Sequence, residues 1–236
     1  MTIAADVERL QERLGDASTD RLLSTVLKDI FPGRVAVVSS FGAESAVLLH
    51  FVATIDRATP VLFIDTGRHF PETLRFRDQL TAHLGLSDVR SVGPTAEEIA
   101  AFDADASRAT WDPDGCCAFR KTAPLHRALE GFDAWISGRK GFQSPTRFGL
   151  PPFEADGERV KINPLAHWSA DMLAAYSATH RLPRHPRVGQ GVASIGCAPC
   201  TSAVRPGEDP RAGRWRGVDK TECGIHPPTA DLLVGK

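Results

Sequence analysis

The sequence has no long apolar run, no charge surplus of either sign and no internal repeat. No stretch approaches the ~18 apolar residues that a membrane span needs. The 28 Lys and Arg residues nearly balance the 29 Asp and Glu residues, so no general attraction to nucleic acid or an anionic membrane is implied. The start, MTIAADVERLQERL, carries acids early and has no apolar segment, unlike a secretory signal. We therefore expect a soluble, cytoplasmic protein without a membrane or nucleic-acid partner.

Cysteine is also scarce, and its arrangement is uneven. Four of the five cysteines form two close pairs, Cys116-Cys117 and Cys197-Ala-Pro-Cys200, whereas Cys223 stands alone in TECGIH. Disulfides are rare in a reducing compartment, so these thiols indicate metal binding or catalysis more than bridges.

The pattern of apolar residues favours one α/β domain. Hydrophobic residues make up 42% of the 236 residues, which is enough for a real core. Short apolar runs alternate with helical patterns, which predicts a doubly wound, mostly parallel sheet with flanking helices. The predicted helices are residues 4–15, 20–31, 44–55 and 71–85, and the predicted strands are residues 35–38, 60–65, 88–92 and 134–138.

Three loops of this sheet are the expected ligand site, because doubly wound sheets bind ligands beyond the carboxyl ends of their strands. They are residues 39–42, 65–68 and 138–142. In the first, SSFGAES, small residues allow a close approach of the backbone, and the following helix offers free N–H groups to an anion. The alternative is an ordinary tight turn.

We divide the chain into N-terminal helices at residues 1–30, an α/β nucleotide-binding core at residues 31–180 and an irregular C-terminal segment at residues 181–236. The last segment is rich in Pro, Gly and Arg and has little periodicity. We expect that something other than a core holds it, for which a metal would serve, or that it is mobile.

The paired cysteines suit a soft metal, either a tetrahedral zinc ion or an iron–sulfur cluster. Neighbouring residues on a helix point ~100° apart, so one zinc ion would bind both Cys116 and Cys117 only with difficulty. A cubane has separate irons, which favours a [4Fe–4S] cluster. The alternative is that both are small buried apolar residues, which would leave Cys197 and Cys200 without partners.

Two sets of motifs resemble known proteins. SFGAES at residues 40–45, followed by AVLLH, resembles the PP-loop of the ATP pyrophosphatase-like superfamily, with Phe41 where a glycine is usual and no lysine before Glu44. With IDTGRHFPETL at residues 64–74, it resembles the branch that binds an adenylylated sulfate rather than ATP.

The cysteines complete a more specific pattern. It reads Cys-Cys-x-x-Arg-Lys-x-x-Pro-Leu from Cys116, Cys-x-x-Cys from Cys197 and Glu-Cys-Gly-x-His from Glu222, with SGRKGFQSPTR at residues 137–147 and RAGRW at residues 211–215. Over residues 34–227 the chain thus resembles the assimilatory adenylyl-sulfate (APS) reductases, iron–sulfur members of the PAPS reductase family. Cluster-free relatives that reduce the 3′-phosphorylated substrate, PAPS, keep the terminal motif but lack both cysteine pairs.

The resemblance implies the chemistry and the site. Cys223 is the implied catalytic thiol: it attacks the sulfur of adenosine 5′-phosphosulfate, AMP leaves, and thioredoxin releases sulfite from the S-sulfocysteine. The implied cofactor is a [4Fe–4S] cluster, which we expect to shape the site and tune charge near Lys121, not to pass electrons to the substrate. Its implied ligands are Cys116, Cys117, Cys197 and Cys200, and the implied substrate-binding residues are Ser39, Ser40, Gly42, Lys121, Arg147, Arg211, Arg214 and His226.

Other positions have less definite expectations. Residues 65–67 are predicted to contact the ribose or base. Arg120 and Arg139 have two alternatives, substrate binding or a solvated surface position. Because Cys223 lies on an irregular tail, we expect that tail to act as a lid.

Three alternative functions remain possible besides strict APS reduction. They are a PAPS or dual APS/PAPS reductase, an ATP-using tRNA thiolation enzyme of the PP-loop superfamily, and a zinc-stabilised binding module. Phe41, Glu44 and the lack of a basic surplus argue against the thiolation enzyme. The sequence does not decide between a monomer and a homo-oligomer.

Overall fold

Alternating strands and helices build one six-stranded sheet with helices on both faces. The computed structural model describes residues 2–144 and 147–226. The strands, in the spatial order β3-β2-β1-β4-β6-β5, are β1 (Val35–Ser39), β2 (Val61–Ile64), β3 (Val89–Val92), β4 (Ala134–Ile136), β5 (Phe153–Asp156) and β6 (Arg159–Ile162). Val37 of β1 pairs in parallel register with Val61 and Ile136, and among the described strands of the sheet β5 and β6 are the antiparallel pair. The expected doubly wound, mostly parallel sheet is confirmed.

The four predicted helices are present close to their predicted positions. Pro71 at the first turn and Gly85, with a φ of +65° after the last, explain the bounds of the fourth. The helices are α1 (Ile3–Leu14), α2 (Thr19–Thr25, continued by the π-helical turn Val26–Ile30), α3 (Ser45–Ile55), α4 (Pro71–Leu84), α5 (Ala96–Phe102), α6 (Arg108–Trp111), α7 (Pro113–Cys117, continued by the π-helical turn Ala118–Thr122), α8 (Ala123–Ala128) and α9 (Ala170–Thr179). In the described part of the chain, no helix combines the length and apolar character that crossing a bilayer requires.

Side chains of the strands alternate between two apolar layers. Val35 and Val37 face a large cluster formed with α1 to α4 and α9, whereas Ala36 and Trp135 face a smaller cluster that includes Leu125 of α8. The sheet is therefore buried on both faces, as a parallel sheet requires.

The β5–β6 hairpin is an element that the sequence reasoning missed. Its two-residue turn is Gly157-Glu158, with Gly157 at a φ of +61°. A glycine at the first position of a two-residue loop between two short runs is a hairpin signal. The charged residues in those runs, such as Glu154 and Lys161, hid it, and both are buried.

The irregular C-terminal segment lies against the carboxyl edge of the sheet. A small apolar cluster of Phe70, Val192 and Ile195 attaches its first part, and Trp215 is buried farther along. An apolar core therefore does help to hold this segment, contrary to our expectation, although no apolar periodicity predicted it. Residues 227–236 of the segment lie outside the described residues.

Candidate active site

A cavity of ≈230 Å³ opens at the carboxyl ends of β1 and β4. The strand order reverses between these two strands, so the cavity lies at the topological switch point of the sheet. The loops after β1 and β4 supply one wall, and the C-terminal segment supplies the other. The structure gathers around it all the predicted substrate-binding residues and the single thiol, namely Ser39, Ser40, Gly42, Lys121, Arg147, Arg211, Arg214, Cys223 and His226.

The loop after β1 keeps the backbone form of a glycine-rich turn although Phe41 replaces the usual glycine. Phe41 has a φ of +48°, in the left-handed region, and its ring is fully buried in edge contact with Phe63. The Ser39 hydroxyl accepts a hydrogen bond from the Phe41 N–H at 3.1 Å, and the Ser45 hydroxyl donates to the Gly42 carbonyl at 2.8 Å. Aromatic packing thus offsets the strain of the turn.

Glu44, which ends this loop, is neutralised by a lysine from the loop after β4. Its carboxylate accepts hydrogen bonds from Lys140 Nζ at 2.8 Å and from Gln143 Nε2 at 2.6 Å. Lys140 is buried, and burial lowers its pKa although Glu44 opposes that effect. The sequence motif has no lysine before Glu44, but in the structure Lys140 from the loop after β4 takes this position beside the acid. Lys140 stood in the quoted motif SGRKGFQSPTR but was not singled out.

The loop after β2 supports a cysteine, and the assignment of its residues 65–67 to ribose or base stays a prediction. Asp65, Thr66 and Gly67 are not among the described residues that line the cavity. The Asp65 carboxylate accepts the Gly67 N–H at 3.0 Å, and the buried Thr66 hydroxyl lies 3.3 Å from Cys197 Sγ. These polar groups are therefore committed to the turn and to the cysteine. His69 is the residue of this loop that reaches the cavity wall.

The two cysteine pairs face each other next to the cavity. Cys116 interacts electrostatically with Cys197 and Cys200, and Cys117 interacts with Cys197. The second pair brackets a short 3₁₀ turn that is fixed to the loop after β2, because the Ala198 N–H donates to a carbonyl of that loop at 2.7 Å. The chain thus brings together four thiols that lie about 80 residues apart in sequence.

This set of donors fits a soft metal cofactor. All four thiols are free, and three are buried. Burial raises the pKa of Cys116 and Cys200, and it raises the pKa of Cys117 to about 11. Burial also opposes ionisation of Cys197, but Lys121 and Thr66 hold its pKa below the ordinary value. Bound cationic irons would favour the thiolate form of all four. Within residues 2–144 and 147–226, no three His, Cys, Asp or Glu side chains form a group suited to one metal ion. A cubane does not require such a group, because it gives each thiolate its own iron.

Lys121 lies between the cysteine pairs and the cavity. It belongs to the π-helical turn after α7, where Pro124 has no N–H for the carbonyl four residues earlier and so interrupts the α-helical pattern. Burial alone would lower its pKa, but Cys197, Cys223 and Cys117 raise it above the ordinary value. Lys121 is therefore a fixed positive charge beside the lone thiol.

Two of the lining arginines converge on a carboxylate of the chain itself. Glu222 accepts hydrogen bonds from Arg147 Nε at 2.7 Å, from Arg147 Nη2 at 2.9 Å and from Arg211 Nη2 at 3.2 Å. Burial opposes ionisation of Glu222, but Arg147 and Arg211 hold its pKa below the ordinary value. Burial together with Arg147 lowers the pKa of Arg211 to about 10. Glu222 stood in the terminal motif, but no role was predicted for it.

Arg214 and Lys121 are the lining lysine and arginine side chains without a carboxylate partner in the described ranges. The Arg214 guanidinium lies 4.4 Å from the centre of the Trp215 ring and packs directly on Gly196. A Cβ atom at Gly196 would be 2.3 Å from its Nη2 atom, so the glycine is what allows this position.

Neither Arg120 nor Arg139 occupies a solvated surface position, which corrects that alternative for both. Arg120 Nη2 pairs with Asp103 at 2.6 Å, and its Nη1 donates to the Thr66 carbonyl at 2.8 Å. Arg139 lines the cavity and pairs with buried Glu154 at 3.0 Å. Sequence alone could not show these carboxylates, because they lie 17 and 15 residues away and no local spacing pairs them with the arginines.

Residues 221–226 lie over the cavity. Cys223 is half-buried in the cavity wall, and Ile225 packs on the apolar layer around α8. The His226 ring stacks on Trp135 with centroids 5.8 Å apart. Burial first, and then Lys161, place the pKa of His226 well below its ordinary value, so this imidazole is neutral at pH 7. Its Nδ1 atom has no hydrogen-bond partner among the described residues.

Together, the switch-point cavity, its cations and the Cys223 thiol in its wall define an α/β enzyme with a nucleotide site. A family model described as the phosphoadenosine phosphosulfate reductase domain matches residues 34–203, and the chain belongs to this family.

Curated relatives agree with this assignment. The chain is 47% identical to an adenosine 5′-phosphosulfate reductase of Mesorhizobium japonicum, over 95% of this chain and 88% of the relative. It is 51% identical to one of Chelativorans sp., over 86% and 82% of the two chains. A phosphoadenosine 5′-phosphosulfate reductase of Gloeobacter violaceus is 39% identical over 93% of each chain.

Solved structures support the fold. A phosphoadenylyl-sulfate reductase of Candida auris, in a phosphate complex, has a TM-score of 0.71 and 25% identity, and the match covers 84% of this chain and 96% of that one. Yeast FAD synthetase, with a TM-score of 0.54 and 18% identity over 83% and 67% of the two chains, shares the fold alone.

Proposed function

We propose that the chain reduces adenosine 5′-phosphosulfate to sulfite and AMP in sulfate assimilation, with Cys223 as the nucleophile and thioredoxin as the electron donor. The observation that carries this proposal is the position of Cys223 on the wall of a switch-point cavity that cations line. The relatives named adenosine 5′-phosphosulfate reductase support it.

The charges of the cavity suit an attack by a thiolate on an anion. Phosphosulfate and thiolate are both negative, so fixed cations must offset their repulsion. Lys121 and Arg214 have no carboxylate partner in the described residues, and their charges bind the sulfate or phosphate oxygens. Arg147 and Arg211 add to the same field, because their combined charge exceeds that of Glu222. Ser39, Ser40 and Gly42, which line the opposite wall, bind the adenosine phosphate in this proposal.

The reaction proceeds in two thiol-exchange stages. Cys223 Sγ attacks the substrate sulfur, an S–S bond forms, the S–O bond to the phosphate breaks, and AMP leaves with the electron pair. A thioredoxin thiolate then attacks Cys223 Sγ, which releases sulfite and forms a mixed disulfide. The second thioredoxin thiol resolves that disulfide, so thioredoxin is oxidised and the Cys223 thiol is restored. Neutral His226, on the cavity wall, orients the substrate by a hydrogen bond.

The two cysteine pairs would hold a [4Fe–4S] cluster. Its ligands would be Cys116, Cys117, Cys197 and Cys200, whose chemistry fits the cluster as described above. When bound, the cluster supplies a structural clamp and a local charge near Lys121. Iron and acid-labile sulfide analysis of anaerobically purified protein tests this: about four of each per chain are expected, and one zinc per chain would contradict it.

The segment 221–226 acts as the lid of this site. Cys223 is half-buried where it lies now, so the segment must swing outward before a protein thiol can reach the adduct. Equal protease protection of this segment in the thiol form and in the S-sulfo form would contradict the lid.

A single-turnover experiment without reductant tests the function. Wild-type protein mixed with APS is expected to gain one SO₃ group on the Cys223 peptide, observed by mass spectrometry, and to release sulfite when thioredoxin is added. Cys223→Ser should form no adduct, while Ser87→Ala, on the exposed surface, should behave as wild type. Adduct formation by Cys223→Ser would refute the mechanism. Faster reaction with PAPS than with APS would instead favour the PAPS reductase of the Gloeobacter type.

A further inference from the structure

Glu222 connects the nucleophile to two separate parts of the fold. Its carboxylate is bound by Arg147, from the loop after β4, and by Arg211, from the irregular C-terminal segment. The side chains of Arg147 and Glu222 are only 7% and 6% exposed. Arg147 donates through two nitrogens, which fixes the orientation of the carboxylate as well as its distance. Cys223 is the next residue, so this ion pair limits where its Sγ atom can lie.

On the other side of Cys223, the His226 N–H donates to the Cys223 carbonyl at 3.1 Å, and the neighbouring residues are held by packing. Ile225 packs on the α8 layer and His226 stacks on Trp135. A Cβ atom at Gly224 would lie 3.1 Å from the Thr122 hydroxyl, so the chain passes close to the helix there. The lone thiol is therefore held between a charged anchor on its N-terminal side and an apolar anchor on its C-terminal side.

We infer that Glu222 is a positioning residue: its ion pairs with Arg147 and Arg211 latch the lid and fix Cys223 at the cavity wall. The Glu222 carboxylate takes no part in the reaction itself. It leaves Lys121 and Arg214 for the substrate anion, and it keeps the two arginines it binds in a fixed orientation. The expected effect of Glu222 on the rate of APS reduction rests on the proposed function, whereas the restraint that its ion pairs place on Cys223 does not.

The first test measures access to Cys223 without any substrate. Iodoacetamide labelling of the Cys223 peptide is followed by mass spectrometry across a range of pH, because the plateau at high pH reports access and not ionisation of the thiol. Glu222→Gln removes the charge at nearly constant shape, and we expect its plateau rate to rise about tenfold, the effect of losing a hydrogen bond to a charged group. Glu208→Gln is the matched control, because Glu208 lies on the same irregular C-terminal segment as Glu222 but pairs with Arg216 at the surface. Cys223 in this variant should be labelled at the wild-type rate.

The second test separates positioning from a general loss of structure. Arg147→Lys keeps the charge but cannot donate two parallel hydrogen bonds, so its labelling rate should be intermediate. For APS reduction, Glu222→Gln should lower kcat about tenfold without raising KM, since the cations that bind the anion remain. A wild-type labelling rate in Glu222→Gln would overturn the latch even if APS reduction is confirmed. Failure of wild-type protein to reduce APS would overturn the proposed function and leave the labelling result to decide the latch.

Discussion

Replacing Lys121 by methionine tests the electrostatic requirement of the site. Lys121 lies beside Cys223 and is one of two cavity cations without a carboxylate partner among the described residues. Two unit charges about 4 Å apart interact by ~4 kcal/mol at an effective dielectric constant of ~20. Loss of one preorganised group that stabilises a transition state typically lowers kcat ~100- to ~1000-fold. The two figures agree, and we expect S-sulfonation of Cys223 in Lys121→Met to slow by ~100- to ~1000-fold.

The assay is the single-turnover formation of S-sulfocysteine, followed by mass spectrometry of the Cys223 peptide. Lys121→Arg restores the charge in a larger side chain and should recover part of the rate. Lys28→Met, at an exposed position in the turn after α2, controls for the loss of a lysine as such. Iron content is measured in each variant, so that a lost cofactor is not mistaken for a lost charge. A rate for Lys121→Met close to that of wild type, with equal iron content, would refute the electrostatic argument.

Two further substitutions test packing at the edges of the site. Asp103→Asn leaves Arg120 buried without its charge partner, so the free energy of unfolding, measured by urea titration, should fall by ~3 to ~5 kcal/mol. A loss below ~1 kcal/mol would contradict the structural role of this pair. Gly196→Ala places a Cβ atom against Arg214 and should raise KM for APS at least ~10-fold with little change in the unfolding midpoint, whereas an unchanged KM would show that Arg214 does not bind the anion.

The fold was predictable wherever apolar pattern and turn residues agreed. The helix from Pro71 to Leu84 has a proline at its first turn and a glycine after its last, and its predicted bounds are correct to within one residue. β5 and β6 were not predicted, because Glu154 and Lys161 interrupt their apolar pattern. Both are nevertheless buried, because Glu154 also binds Arg139 and so forms a paired network. Pairing of this kind depends on residues from two strands and has no signature in either one.

The members of the site were more predictable than their partners. The motifs and the family resemblance singled out the lone thiol, the paired cysteines and the residues predicted to bind substrate, and the structure gathers the thiol and those predicted residues around one cavity. They predicted ligand contacts for residues 65–67 but did not show that Thr66 supports Cys197. They also did not show that Lys140 neutralises Glu44. Both omissions arise because a motif records which residues are present but not which of their polar groups another residue already occupies.

The same limit explains why the arginines of this site must be counted together with their carboxylates. Four arginines line the cavity, and sequence alone treats each as a potential anion ligand. Arg139 is bound by Glu154, and Arg147 and Arg211 share Glu222, so only Arg214 enters the cavity without a carboxylate partner in the described residues. In the proposed function, a doubly charged anion does not need to contact every cation of the cavity. The buried ion pairs keep their geometry, while the cations without a carboxylate partner bind the substrate. Under the proposed function, release of AMP requires separation from whichever of Lys121 and Arg214 binds its phosphate, but not a rearrangement of the buried pairs.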